Sequence, residues 1–111
     1  MDTISWNDFE KIDIRVGTII DAAPFEKARK PAYQLTIDFG LLGLKKSSAQ
    51  ITRHYSIEEL KGRQVIAIVN FPPKQISNFF SECLVLVIYD KNNDVVLLQP
   101  QQQVYNGSKI G

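Results

Sequence analysis

The sequence predicts an all-β domain: a five-stranded Greek-key barrel of the OB type, with a short N-terminal helix, one helix between strands three and four, and a C-terminal β extension. Three observations carry that reading. Apolar and polar residues alternate in two separate runs, Ile12 to Val16 and Tyr33 to Phe39. Ser56 and Glu59 form one capping box directly after the third apparent strand. Gly17 falls inside the first strand, where a closing barrel needs a bend. A plain β-sandwich is the alternative, and the lone helix after the third strand argues against it.

The elements follow in order. Ser5 precedes Trp6, Asp8 lies three residues on, and Phe9 and Ile12 follow, so a short capped helix is expected to lie on the domain. From Ile12 the period becomes two: Ile12, Ile14 and Val16 alternate with Asp13 and Arg15, which opens strand one. Gly17 marks a bulge or sharp bend in it. The adjacent pair Ile19 and Ile20 breaks the alternation, as expected of a strand that turns a corner into a second sheet. Pro24 to Pro31, carrying Glu26, Lys27, Arg29 and Lys30, reads as an exposed basic loop.

Tyr33, Leu35, Ile37 and Phe39 then alternate with Gln34, Thr36 and Asp38 in a half-buried second strand that ends at Gly40. Leu44 to Ile51 is a mostly polar third strand. The box at Ser56 and Glu59 starts a short helix that buries Leu60 and ends in a left-handed Gly62. Val65 to Val69 is the fourth strand, and Phe71, Pro72 and Pro73 break it. Leu84 to Tyr89 is the fifth, Lys91 to Asp94 a turn, and Val95 to Leu98 pairs back as an added hairpin arm.

Composition limits what this domain can do. The chain has 111 residues, 44% of them hydrophobic and 23% charged, with no repeat or low-complexity stretch, so one domain over residues 1–111 is expected. At that length folding removes roughly two-thirds of the chain's surface from water, enough for a core without staples. One Cys and one His cannot form a disulfide or a Cys/His zinc set, so no metal or other cofactor is expected. Thirteen basic and twelve acidic residues leave a net charge of +1, which excludes a polycation but permits a local basic patch. Met1 to Glu10 lacks the apolar core of a secretory signal, and the longest apolar run, Cys83 to Tyr89, is far too short for a membrane span. A cytoplasmic protein without membrane insertion is the expectation.

Catalytic signatures are missing. There is no G-x-S-x-G elbow and no glycine-rich phosphate loop, and the lone His54, between Arg53 and Tyr55, reads as a surface residue. Cys83 opens an apolar strand, where a buried inert thiol is the ordinary outcome. Glu58 and Glu59 diverge by about 100° on a helix and cannot act as an acid/base pair. The reading is a binding protein, not an enzyme.

Basic residues fall in three places: Lys27, Arg29 and Lys30; Lys45, Lys46 and Arg53; and Lys74. In an OB barrel the first loop, the middle strands and the loop before the last strand border one face. Ser47, Ser48, Gln50, Asn70, Gln75, Ser77, Asn78 and Ser81 are interleaved with them, with Phe71, Phe79 and Phe80 alongside. Phosphate contact, hydrogen-bond readout and base stacking are therefore all available. The same residues suit a solvated charged surface, and Phe79 or Phe80 a core or subunit contact.

Four separated motifs agree in order and spacing with a known family. The run Phe9 to Gly17, F-E-K-I-D-I-R-V-G, resembles the opening signature of the OB-type tRNA-binding domain found free and appended to some aminoacyl-tRNA synthetases. Lys46 to Thr52 (K-S-S-A-Q-I-T), Asn70 to Lys74 (N-F-P-P-K) and Val95 to Pro100 (V-V-L-L-Q-P) resemble its CsaA branch. The resemblance covers nearly the whole chain. It implies a homodimeric, non-enzymatic, chaperone-like factor of protein export that binds unfolded or precursor polypeptides and meets the export machinery, with tRNA binding as the alternative.

The resemblance places Asn70, Lys74, Ser81 and Glu82 where the wider family keeps its N-x-x-P-[RK] and S-E-G-M loops. Here the second reads Ser81, Glu82, Cys83, Leu84, without the Gly and Met, which agrees with the CsaA branch. Together with the basic clusters, the candidate RNA-binding residues are Arg29, Lys30, Lys46, Ser48, Arg53, Asn70, Lys74, Ser81 and Glu82. The candidate peptide-binding floor is Tyr33, Phe71 and Phe79. Asp13 and Arg15 match the family signature, yet alternation puts them on one outward strand face, where a structural ion pair is expected.

Overall fold

A computed structural model describes residues 1–111. Helix α1 (Trp6–Glu10) starts at Ser5, whose hydroxyl accepts from the Asp8 amide while the Asp8 carboxylate accepts from the Ser5 amide. This is the expected capping box, and the helix buries none of its residues. Strands β1 (Ile14–Pro24), β2 (Tyr33–Asp38), β3 (Leu44–Ala49), β4 (Gln64–Ile68) and a two-residue β7 (Leu84–Val85) form one antiparallel sheet in the order β3-β2-β1-β4-β7. The sheet curls until β3 meets residues 79–85, which gives the nearly closed five-stranded barrel expected from the sequence. Helix α2 (Ile57–Leu60) lies between β3 and β4, capped by Ser56 and Glu59 and followed by Gly62 at φ +89°. No helix is long and apolar enough to cross a membrane.

The inward residues of the alternating strands make the core. Ile19, Leu35, Ile37, Phe39, Ile51, Leu60 and Val65 are fully buried, with Cys83, Val85 and Leu97 closing one side. Gly17 has a different role from the expected bend. Its register against Val65 of β4 is regular, and a Cβ there would sit 2.6 Å from Ile37 Cγ2 and 2.8 Å from the Phe39 ring. Glycine is needed so that a bulky pair on β2 and its end can approach β1. The bulge lies at Ile20 instead, where the β1–β2 register shifts between Ile19 and Asp21. Strand one also starts at Ile14 rather than Ile12, because the Ile12 amide is still bonded to the Phe9 carbonyl.

Two further differences shape the site. The loop between β1 and β2 is not wholly exposed: Phe25 is buried within it. The segment after Pro73 contains a hairpin that periodicity did not reveal, β5 (Lys74–Ile76) against β6 (Phe79–Ser81), turning through Ser77 at φ +57°. Such a turn ordinarily carries glycine at that position, so its usual sequence signal is missing. The expected fifth strand is split at Leu86. Its first half, β7, pairs with β4, while β8 (Val87–Tyr89) leaves the sheet to pair with β9 (Val95–Leu97), the expected hairpin arm.

The remaining tail returns to the start of β1, where the Val16 amide donates to Ser108 O and the Ile110 amide to Ile14 O. Buried Gln64 anchors it, donating to Val104 O and accepting from the Val104 amide.

Candidate functional site

A cleft of about 760 Å³ opens between the β1–β2 loop, the end of β3 and the β5–β6 hairpin. Ala28, Arg29, Lys30 and Ala32 line it from the loop, Ser48 and Gln50 from β3 and the residues after it, and Lys74, Gln75 and Ile76 from the hairpin. Two of the three basic clusters thus converge, and no carboxylate is among the lining residues. Arg29, Lys30 and Lys74 take part in no ion pair. Lys46 lies two residues before Ser48 on the same strand face and continues the basic track. Arg53 does not join it, because its guanidinium lies 3.8 Å from the Asp94 carboxylate at the base of the β8–β9 turn.

Lys74 also borders a second, smaller pocket of about 240 Å³, formed with Phe71, Pro72, Ser81, Cys83 and Leu84. Phe71 is 52% exposed there, in the segment after β4 and just before Pro72 and Pro73. The three aromatic candidates do not share one floor. Phe79 is only 8% exposed and packs against Phe25, ring centroids 5.3 Å apart and planes tilted by 54°, with Ala32 in a secondary core that fixes the hairpin to the basic loop. Tyr33 is half-buried, donates its hydroxyl to Tyr55 O at 2.7 Å, and lines an adjoining depression that shares Ala28, Arg29 and Ala32 with the cleft. Phe71, Leu84 and Phe80, the last opposite Gln75 on the hairpin, are open apolar groups beside the cleft.

The polar motif residues engage the backbone. Asn70 Nδ2 donates to Lys11 O at 2.7 Å and its Oδ1 accepts from the Asp13 amide at 3.0 Å, which ties the end of β4 to the segment after α1. Glu82 Oε1 accepts from the Lys46 amide at 2.9 Å, and the Ser81 hydroxyl accepts from the Ser48 amide at 3.3 Å. Asp13 and Arg15 form the expected ion pair, at 2.6 Å, and Arg15 also donates to Gly107 O in the returning tail.

The chemically reactive types are quiet. Burial pushes the Cys83 thiol up to about 11 against the opposing pull of Lys45, so it is not a nucleophile at neutral pH. His54 is exposed, as expected, but it has a partner that sequence proximity could not show: its Nε2 lies 2.8 Å from Asp90 Oδ2 on the β8–β9 hairpin. That hydrogen bond, then the Asn92 amide, holds the Asp90 carboxyl below its ordinary value of 3.8.

A family model described as a putative tRNA binding domain matches residues 14–109. The crystal structure of chaperone CsaA from Bacillus anthracis str. Ames is 50% identical, with a TM-score of 0.94 over 99% of this chain and 100% of that one. CsaA chaperone protein from Picrophilus torridus is 52% identical, with a TM-score of 0.92 over 98% and 100% of the two chains. Methionine--tRNA ligase of Porphyromonas gingivalis (strain ATCC BAA-308 / W83) is 37% identical over 107 residues, which are 96% of this chain and 15% of the ligase. The chain therefore spans about 15% of the length of the curated relatives it matches. With near-complete mutual coverage of the two CsaA structures and a family match over almost the whole chain, the protein belongs to the putative tRNA binding domain family and is of CsaA type.

Proposed function

We propose that this protein is a non-enzymatic, chaperone-like binding protein that holds unfolded or precursor polypeptides in the cytoplasm as a homodimer and serves protein export. The supporting observation is the junction at Lys74 of a carboxylate-free basic cleft with an apolar pocket walled by Phe71, Pro72 and Leu84. An extended chain carries apolar side chains and main-chain carbonyls together, and such a junction suits both without demanding a sequence. A homodimer is supported by apolar side chains left open on the returning tail, on α1 and before β3, Tyr105, Trp6 and Leu41 among them. Light scattering at micromolar concentration should give twice the chain mass; a monomer with native spectra would remove the dimer from this reading.

A second reading is RNA binding, favoured by the three unpaired cations of the cleft, which form the electrostatic footprint of a phosphate backbone. No aromatic residue lines that cleft, so base stacking would have to come from its margins, from Phe71 or from Phe80, the exposed register partner of Gln75. Salt separates the readings. RNA binding should weaken steeply with salt, and the pair Lys30→Ala and Lys74→Ala should lower the slope of log affinity against log salt by about one unit per contact. Capture of an unfolded client should change little or strengthen with salt. It should fall in Phe71→Ala, an exposed position where stability moves by no more than about 0.5 kcal/mol. Undiminished suppression of client aggregation by that variant would refute the polypeptide site.

A further inference from the structure

The barrel is left open on one side by its main chain and shut there by side chains. Strand β3 pairs with β2 along one edge. Its other edge meets residues 81–83 through a single main-chain bond, the Glu82 amide to Lys46 O at 2.7 Å. Two amides of that edge are taken by side chains: Lys46 N–H by the Glu82 carboxylate and Ser48 N–H by the Ser81 hydroxyl. From the β3 side, Ser47 Oγ donates to Cys83 O at 3.3 Å, fully buried.

Two of the three walls of the basic cleft meet at this seam. Ser48 lies on one side of it, and Lys74 is the register partner of Ser81 on the other. We infer that Ser81 and Glu82 are positioning residues, whose bonds to the β3 backbone hold the β5–β6 hairpin against β3 and set the spacing between Lys74 and the Ser48 side of the cleft. The inference rests on the cleft being the binding site proposed above. It gives Glu82 work that does not include touching a ligand: a carboxylate receiving a main-chain amide is a charge-assisted bond, and a carboxylate facing a polyanion would only repel it.

That opposition of sign supplies the test. Glu82→Ala removes a negative charge next to a cationic cleft, so if Glu82 acted only through its field, RNA would bind more tightly. If it positions the hairpin, a synthetic RNA hairpin should bind about tenfold more weakly at low salt, the size of one misplaced phosphate contact. Glu82→Gln keeps the acceptor oxygen and removes the charge, so its affinity should equal or exceed the parent's.

Cys83, buried at the seam with its Sγ donating to Lys46 O at 3.8 Å, reports the opening without any added ligand. Its reaction with an aromatic disulfide reagent should quicken about tenfold in Glu82→Ala and stay within about twofold in Glu82→Gln. Ser81→Ala, the milder cut, should fall between the two in both measurements and stands in should Glu82→Ala fail to fold. Glu82→Ala binding RNA as tightly as Glu82→Gln, or an unchanged Cys83 rate in both alanine variants, would overturn the inference. Were the parent to bind neither RNA nor unfolded protein, the cleft would lose its proposed function while the thiol rates still decided the seam.

Discussion

Strand β1 joins β4 through five consecutive register pairs, Ile14 against Ile68 to Thr18 against Gln64, whereas β3 joins residues 81–83 largely through the side chains of Ser47, Ser81 and Glu82. A ladder of main-chain bonds forms with almost any residues, so the β1–β4 junction is specified by which side chains fill the space behind it. The β3 junction depends on particular polar groups, each replaceable by one mutation. The first is the rigid back of the barrel and the second the adjustable front, and the basic cleft lies on the front.

The sharpest way to break the back is to empty it. Phe39 is fully buried against the β1 face, and Phe39→Ala should destabilise the domain by about 3 to 5 kcal/mol in denaturant unfolding, with loss of every binding activity together. Gly17→Ala is a smaller insult of opposite kind, adding a Cβ where Ile37 and Phe39 already stand within 3 Å. It should cost about 1 to 3 kcal/mol as strand β2 shifts to make room. A Gly17→Ala protein as stable as the parent would mean that the back is less tightly packed than described.

The β8–β9 hairpin, outside both junctions, should respond to pH weakly and locally. Asp90, with its carboxyl held low by His54, contributes stability that is complete above its ordinary value of 3.8 and is lost as pH falls through the lowered one. In His54→Ala that loss should move to higher pH. Amide exchange at Asn92 and Asp94, both bonded to Asp90 Oδ1, would show it, and equal exchange profiles in parent and variant would show that the clasp adds nothing.

The same division explains how much could be read beforehand. Strands β1 and β2 were legible because one face of each is buried, which forces period two, and both helices because a capping box is a local code. The β5–β6 hairpin was not, since three-residue strands with exposed faces show no period and Ser77 occupies the place of the expected glycine. Among the site residues, Arg29, Lys30, Ser48 and Lys74 come together as charge clustering suggested, while Arg53 is diverted to Asp94. Sequence could not show that diversion, nor that His54 meets Asp90, because each pair is made by a hairpin folding back from far along the chain. Ala28, Ala32, Gln50, Gln75 and Ile76 complete the cleft; Gln50 and Gln75 were visible as polar residues between the cations, and the apolar three had no signal.

The returning tail has a consequence for the order in which this molecule can be built. Arg15 donates to Gly107 O across 92 positions of chain, and residues 14–16 have residues 107–110 along the edge that β2 does not reach. Pairings of such sequence separation are slow to form, because closing the long loop precedes any gain from it. During synthesis on a ribosome, the first strand must therefore wait, with one edge bare, until the last turn of the chain has emerged. A pause just before residues 107–110 emerge would leave a nascent barrel with an open edge, the kind of surface on which neighbouring chains pair wrongly.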